Sequence, residues 1–353
     1  MLRQVLLPFA LLLGLWSGFC APAGAEGRHV TDQLGRSVTV PAEVHRVVAL
    51  QHQSLDIIVE LGAADRLVGV QRSWQSQIPG IDKLSPGLEK LPTPGDLTSV
   101  NMESLLALHP DVVFVTNYAP PAMIAQIAGA GVPVVAISLS KGEGVGQPRL
   151  NPSFADDDAA YAAGLKEGVR LIASVLGTEA RGEALLKAAF DGRRLVEQRV
   201  ADIPPAARLR LYMANPDLQT YGLGKYTGVI MARSGGINVA ATGGMRGWGK
   251  VSMEDVLRWN PQVIFVQDRY APVVEQIRHD PAWAPVDAVK NGRLYITPEY
   301  VKPWGYPLPE ALALGELWMA SRLYPERFRD IDVAAKVEAF YRDFYGHPYV
   351  GQY

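Results

Sequence analysis

The chain has 353 residues, 48% hydrophobic and 20% charged, with 34 Lys+Arg against 36 Asp+Glu. That is ordinary globular composition, and the length suits two cores better than one. The near balance of charge and the lack of a basic run argue against nucleic-acid binding. A lone cysteine, Cys20, leaves no disulfide within the chain and no thiolate cluster for a metal.

The N-terminus reads as an export signal, residues 1–25. Arg3 precedes an apolar run over 5–19, and Ala23-Gly24-Ala25 fits a small-residue cleavage site. Cleavage after Ala25 makes Glu26 the first residue and, by removing Arg3, takes the formal net charge from -2 to -3. It also removes Cys20, whose neighbour Phe19 is too large for a lipid-attachment motif. An uncleaved anchor is the alternative, since the run approaches the ~20 residues of a bilayer span. Pro8 and the Ala/Gly tail suit a cleaved signal better.

Beyond the leader, strand and helix patterns alternate. Residues 46–50 form a β-rich run, and 55–61 follow with helical spacing up to Gly62. A helix over 102–108 ends at His109-Pro110, and 112–115 read as a buried parallel strand. A helix over 123–130, stopped by Gly131, leads into a strand over 132–137. Such alternation implies a parallel sheet covered by helices. Residues 156–203 carry no strand signal. Gly177-Thr178 breaks that stretch, and Thr178 is expected to cap a helix running to about residue 201, roughly 35 Å long. Strand patterning resumes at 208–212. The division is an N-terminal lobe over 26–177, a linking helix over 178–202 and a C-terminal lobe over 203–353.

An internal repeat supports two like lobes. Val100-Asn101-Met102-Glu103-Ser104-Leu105-Leu106, continuing through Pro110 and Val112 to Val115, matches Val251-Ser252-Met253-Glu254-Asp255-Val256-Leu257, continuing through Pro261 and Val263 to Val266. Two amphipathic helices could share their apolar positions by chance, but hardly the Met-Glu pair and the proline too.

Several motifs then bring a family into view. Asp32-Gln33-Leu34-Gly35-Arg36 with Pro41 and Arg46-Val47-Val48, the run from Gly62 to Val70, Tyr221-Gly222 and Gly235-Gly236-Ile237-Asn238 stand in a distinctive order. In these the chain resembles the helix-linked substrate-binding proteins of ABC importers for ferric siderophores, haem and cobalamin. The resemblance implies an α/β fold of two parallel-sheet lobes joined by a long helix, with the ligand cleft between them. It implies a monomeric periplasmic receptor, not an enzyme and without a cofactor. Such a receptor captures a metal chelate, most simply a ferric siderophore, and delivers it to an ABC permease dimer in the inner membrane. Val301-Lys302-Pro303-Trp304-Gly305-Tyr306-Pro307 and the tail over 324–345 are similar to a subgroup that includes receptors for bare metal ions or oxyanions such as molybdate. Glu103 and Glu254, equivalent in the repeat, would meet arginines on the two permease halves; their plainer reading is helix-start stabilisation.

The cleft is expected at the C-terminal ends of the strands. The residues that fall there are Gln51, His52 and Gln53, then Arg72 and Trp74, Tyr118, Asn215 and Tyr221, Trp248, Arg269 and Tyr270, and Trp304 and Tyr306. Aromatic area with bidentate arginine charge suits a flat anionic chelate, although any one of these could serve ordinary loop packing. The histidines at 29, 45, 52, 109, 279 and 347 show no metal-ligand spacing, and no metal site is expected. Gly222-Leu223-Gly224 with Gly228 has the wrong spacing for a dinucleotide loop, and no G-x-S-x-G or H-E-x-x-H occurs. An exported chelate-processing enzyme and a periplasmic ligand sensor remain as rivals from other classes.

Overall fold

The structure is a computed structural model that describes residues 27–142 and 152–351. The export signal, Cys20 and the expected new terminus at Glu26 lie outside those residues. An antiparallel hairpin, β1 (Arg28–Thr31) with β2 (Ser37–Val40), opens the described chain. Asp32 shapes its turn by accepting the backbone N–H of Leu34 and Arg36 at 3.0 and 2.9 Å. Its other oxygen accepts from Ala136 N–H at 3.1 Å, which ties the hairpin to the first lobe.

The first lobe's sheet holds β3 (Val47–Ala49), β4 (Leu67–Val70), β5 (Val112–Thr116) and β6 (Val134–Ile137), all parallel, in the order β4-β3-β5-β6. These are short, nearly uninterrupted Val/Ile runs buried on both faces, as a helix-covered parallel sheet requires. The second lobe contributes β7 (Arg210–Ala214), β8 (Gln219–Tyr221), β9 (Ile237–Asn238), β10 (Trp248–Lys250), β11 (Val263–Val266) and β12 (Leu294–Ile296). Strands β8 and β10 form an antiparallel ribbon, and the rest form a parallel sheet ordered β12-β11-β7-β9. From its other edge that order is β9-β7-β11-β12, the plan of the first lobe.

The repeat accounts for matching local devices. Helices Met102–Leu106 and Met253–Trp259 lead into β5 and β11, with Leu105 and Val256 buried beneath them. Each helix leaves through a left-handed residue, His109 at φ 44° and Asn260 at φ 43°. Arg46 and Arg210, at the first strand of each lobe, donate to the exposed carbonyls there, Arg46 to Leu108 at 2.7 Å and Arg210 to Asn260 at 2.9 Å. These bonds satisfy carbonyls that the helix ends leave without partners.

Two long helices, Asp157–Leu176 and Glu179–Val200, carry the chain between the lobes. Gly177 separates them at φ +66°. Thr178 occupies the N-cap position, but its hydroxyl reaches back to the Ala173 carbonyl at 3.5 Å and caps no N–H, contrary to expectation. At 22 residues the second helix is roughly 33 Å long. It packs closely: a Cβ on Gly192 would stand 2.3 Å from the Ala313 carbonyl oxygen. Arg193, buried in the same helix, pairs with Glu316 and with Asp158. One apolar core runs through both lobes, from Val47 and Phe114 to Leu211 and Phe265.

After β12 the chain returns between the lobes as a strap over 297–310. Toward the second lobe, Thr227 Oγ1 donates to the Pro303 carbonyl at 2.9 Å and Tyr226 N–H to Gly305 at 3.2 Å. Toward the first, Lys302, Trp304 and Tyr306 meet Asp56, His52 and Tyr118. A terminal helix, Val333–Phe344, closes behind it.

Candidate functional site

The C-terminal ends of β3, β4, β5, β7 and β11 face the strap, and their next residues form a polar cleft around it. The helix after β3 is His52–Glu60, three residues longer at its start than the apolar spacing predicts. Gln51 is therefore its N-cap residue, and His52 and Gln53 lie in its first turn rather than in a loop. All three are buried, held by packing that an apolar period does not register.

Trp304 centres one wall. His52 meets it edge-on at 5.6 Å, and the Arg269 guanidinium lies 5.1 Å from its ring centre. Arg269 is held by Gln267 Oε1 at 2.7 Å and by Gln77 Oε1 at 3.0 Å, so it too reaches across from the second lobe to the first. It also stands 5.3 Å from the ring of Tyr270. Tyr306 forms the other wall, stacked on Tyr118 at 6.4 Å with the Lys225 ammonium 5.2 Å from its ring centre. On the second lobe Gln267 Nε2 donates to Asn215 Oδ1 at 2.9 Å and lies 3.4 Å from the Tyr221 hydroxyl. Trp248 pairs in register with Tyr221 across the β8–β10 ribbon and is 45% exposed.

Two expected residues do not join this group. Trp74 opens a helical turn, Trp74–Gln77, and is 2% exposed within the apolar core, because its ring is worth more buried than in a polar cleft. Arg72 is exposed, and its charge is felt by Asp96 instead. Conversely, Lys225, Gln71, Gln77 and Gln267 belong to the cleft although sequence reasoning passed over them. Gln71 and Gln267 directly follow strands, the same signal that singled out Gln51. Lys225 directly precedes the helix Tyr226–Arg233, and that position was its only marker.

The electrostatics favour an anion. Burial, aided by the charge of Arg269, pushes His52 down to about 3, so the imidazole is neutral near pH 7. Burial pushes Lys225 down to about 8, which leaves it charged at neutrality but poised to lose its proton. Burial also raises the Tyr118 and Tyr306 phenols, which stay protonated donors. Buried atoms without a hydrogen-bond partner here include Trp304 Nε1, the Tyr306 hydroxyl and Asn215 Nδ2, all donors, beside His52 Nδ1. Gln53 and Gln71 leave amide oxygens in that condition, and an amide that turns over offers its NH2 instead. A ligand that accepts hydrogen bonds would satisfy the donors of this set. Both buried carboxyl oxygens of Asp268, next to Arg269, also lack a hydrogen-bond partner, and burial raises that carboxyl to about 6. No group of three or more His, Cys, Asp or Glu among the described residues could hold a metal ion.

Two like α/β lobes, a long connecting helix and a donor-lined cleft at opposed strand ends define a helix-linked solute receptor. The chain belongs to the periplasmic binding protein family, whose model matches residues 47–301. It is 52% identical over 323 residues to the molybdate-binding protein MolA of Haemophilus influenzae, covering 91% of this chain and 92% of that one. The solved structure of that protein bound to molybdate superposes with a TM-score of 0.89 over 92% of this chain and all of the other. A periplasmic solute-binding protein of Veillonella parvula, 23% identical, shares the fold at a TM-score of 0.74, over 92% of this chain and 94% of its own. A Bacillus subtilis ABC transporter substrate-binding lipoprotein, YvrC, is 24% identical over 85% of this chain and 87% of its own.

Proposed function

We propose that this protein is exported to the periplasm, captures a tetrahedral oxyanion such as molybdate or tungstate in the cleft, and delivers it to an ABC permease. This replaces the ferric siderophore by the oxyanion alternative that the strap and tail suggested. The observation that carries the reading is the donor set: Trp304 Nε1, Tyr306 Oη, Asn215 Nδ2 and His52, beside the cations Arg269 and Lys225. A dianion with four acceptor oxygens matches it in charge and hydrogen-bonding sense. Identity of 52% over 323 residues with a molybdate-binding relative supports the same ligand class.

Delivery is assigned to the two repeat helices. Asn101 and the capping box of Ser252 with Asp255 already satisfy their first turns, so Glu103 and Glu254 are not needed as caps. Both glutamates are exposed, and neither pairs with a cation among the described residues. Three residues on, Leu106 and Leu257 are each 38% exposed. Each lobe thus offers one acidic and one apolar group to a partner with matching two-fold symmetry.

Isothermal titration with molybdate, tungstate, sulfate and a ferric catecholate siderophore tests the ligand. Saturable binding of molybdate or tungstate is expected, with no heat from the siderophore. The reverse order of preference would overturn the oxyanion reading.

A further inference from the structure

Beneath the cleft, next to Trp304, lies a buried group of charges. Asp56 and Glu60 come from helix His52–Glu60, Lys302 from the strap, Glu310 from its far end, and Tyr345 follows the terminal helix. Lys302 Nζ pairs with Asp56 Oδ2 and Glu310 Oε1 and stands 5.6 Å from the Trp304 ring centre. The Tyr345 hydroxyl lies 3.0 Å from Asp56 Oδ1 and 2.7 Å from Glu310 Oε2. A phenol has one proton and can serve only one of those oxygens, so the second short contact needs a proton on a carboxyl. Neither oxygen of Glu60 has a hydrogen-bond partner, and an ionised carboxylate so placed is strongly disfavoured.

Three carboxyls thus surround one ammonium, and full ionisation would leave two excess negative charges under the cleft. His52, Asp56 and Glu60 recur every four residues, so one helix face carries this row from the cleft inward. Lys302 and Trp304 complete the path on the strap side.

We propose that the buried Asp56–Glu60–Lys302–Glu310 node couples anion capture in the cleft to proton retention beneath it. This rests on the oxyanion reading. An anion above the node and excess negative charge within it repel each other, so each proton held below favours the anion above. Linkage makes the effect reciprocal: bound anion tightens the node's hold on its protons. Burial raises both Glu60 and Glu310 above the usual carboxyl range; neighbouring carboxyls add to this, and Lys302 opposes it. The titratable and charged groups facing the node are Arg181 from the long helix, Tyr341 from the terminal helix, Tyr345 and Tyr349 after it, Glu299 and Asp268 beside Trp304, and His52 and Arg269 across it. Raised carboxyls are protonated at lower pH, so anion affinity is highest there and falls as pH climbs through the range in which the node loses its protons.

The experiment is calorimetric titration of molybdate into wild type, Glu60→Gln, Glu310→Gln and the double variant, in two buffers of different ionisation enthalpy at matched pH. Wild type should take up a measurable fraction of a proton on binding, with affinity falling by up to about tenfold per pH unit at the steepest point. The glutamine variants should take up less, the double least, with flatter profiles. The difference between wild type and variants isolates the node from Lys225, which titrates in the same sense in all of them. Glu60→Gln deletes no hydrogen bond and carries the test if Glu310→Gln fails to fold. Equal proton uptake in wild type and variants overturns the inference and leaves the oxyanion reading standing. Failure of wild type to bind either molybdate or tungstate removes both.

Discussion

His52 meets Trp304 edge-on across the lobe boundary, with 5.6 Å between ring centres and 62° between planes. The imidazole is the first helical residue of one lobe, and the indole belongs to a strap fed from the other. Its neutrality follows from that placement: burial and the nearby Arg269 disfavour a third positive charge. Folding therefore lowers the His52 pKa to about 3 from its ordinary 6.5. The unfolded chain takes up this proton below about pH 6.5 and the folded chain does not, so stability falls as pH drops from there toward 3. His52→Gln should lose that part of the acid sensitivity in denaturant melts. An imidazolium signal from His52 in NMR spectra at pH 5 would contradict the assignment.

Arg269 and Arg72 both looked suited to hold an anion, and the structure separates them. Arg269 is fixed by two glutamine oxygens and lies over the Trp304 ring, 5.1 Å from its centre. Arg72 is exposed near Asp96. Arg269→Ala should weaken molybdate binding by ~1.5–3 kcal/mol, the scale of a charged hydrogen bond, or roughly ten- to a hundredfold. Arg72→Ala should change it by less than about 0.5 kcal/mol. Titration of both proteins decides, and an equal loss in the two would move the site toward β4.

Lys225 carries its charge only below about pH 8, since burial lowers it from 10.5. Lys225→Met should cost about tenfold in anion affinity at neutral pH, the worth of one charged contact. The ratio of wild-type to variant affinity should shrink as pH rises through 8, where the wild-type ammonium is lost. A ratio that stays constant to about pH 10 would mean that the ammonium does not face the ligand.

Much of this architecture was legible before any coordinates. Alternating valine-rich runs and helical spacings mark two parallel sheets, because strands buried on both faces leave no other pattern. The repeat from Val100 and from Val251 marks two like helix-strand units, and the structure adds what the repeat did not state, the paired left-handed exits at His109 and Asn260. Local chemistry misled where tertiary burial decides the outcome. Thr178 has the right residue type for a cap but points its hydroxyl backward. Trp74 follows a strand, yet its indole is drawn into the core. The node of Asp56, Glu60, Lys302 and Glu310 was invisible, since its members are up to 254 positions apart, counting from Asp56 to Glu310, and charged residues usually read as surface.

Docking gives the last prediction, and it separates transport from the rival classes. Glu103 and Glu254 occupy equivalent, exposed positions on helices already capped by Asn101 and Ser252. If they served only their helix dipoles, Glu→Ala at either site would cost a few tenths of a kcal/mol to ~1 kcal/mol of stability and nothing else. As docking groups, they should leave molybdate affinity intact while uptake through the permease collapses. The double alanine variant should be worse than either single, because on this reading each lobe would grip one permease half. Charge reversal should be worse still, since lysines would face the arginines of the partner. Leu106→Ser with Leu257→Ser should weaken docking too, again without touching the ligand. Uptake is measured in proteoliposomes, with binding titrated on the same purified variants. Normal uptake by the Glu103→Lys, Glu254→Lys double variant would sink the docking role of this face and return both glutamates to ordinary helix-start stabilisation.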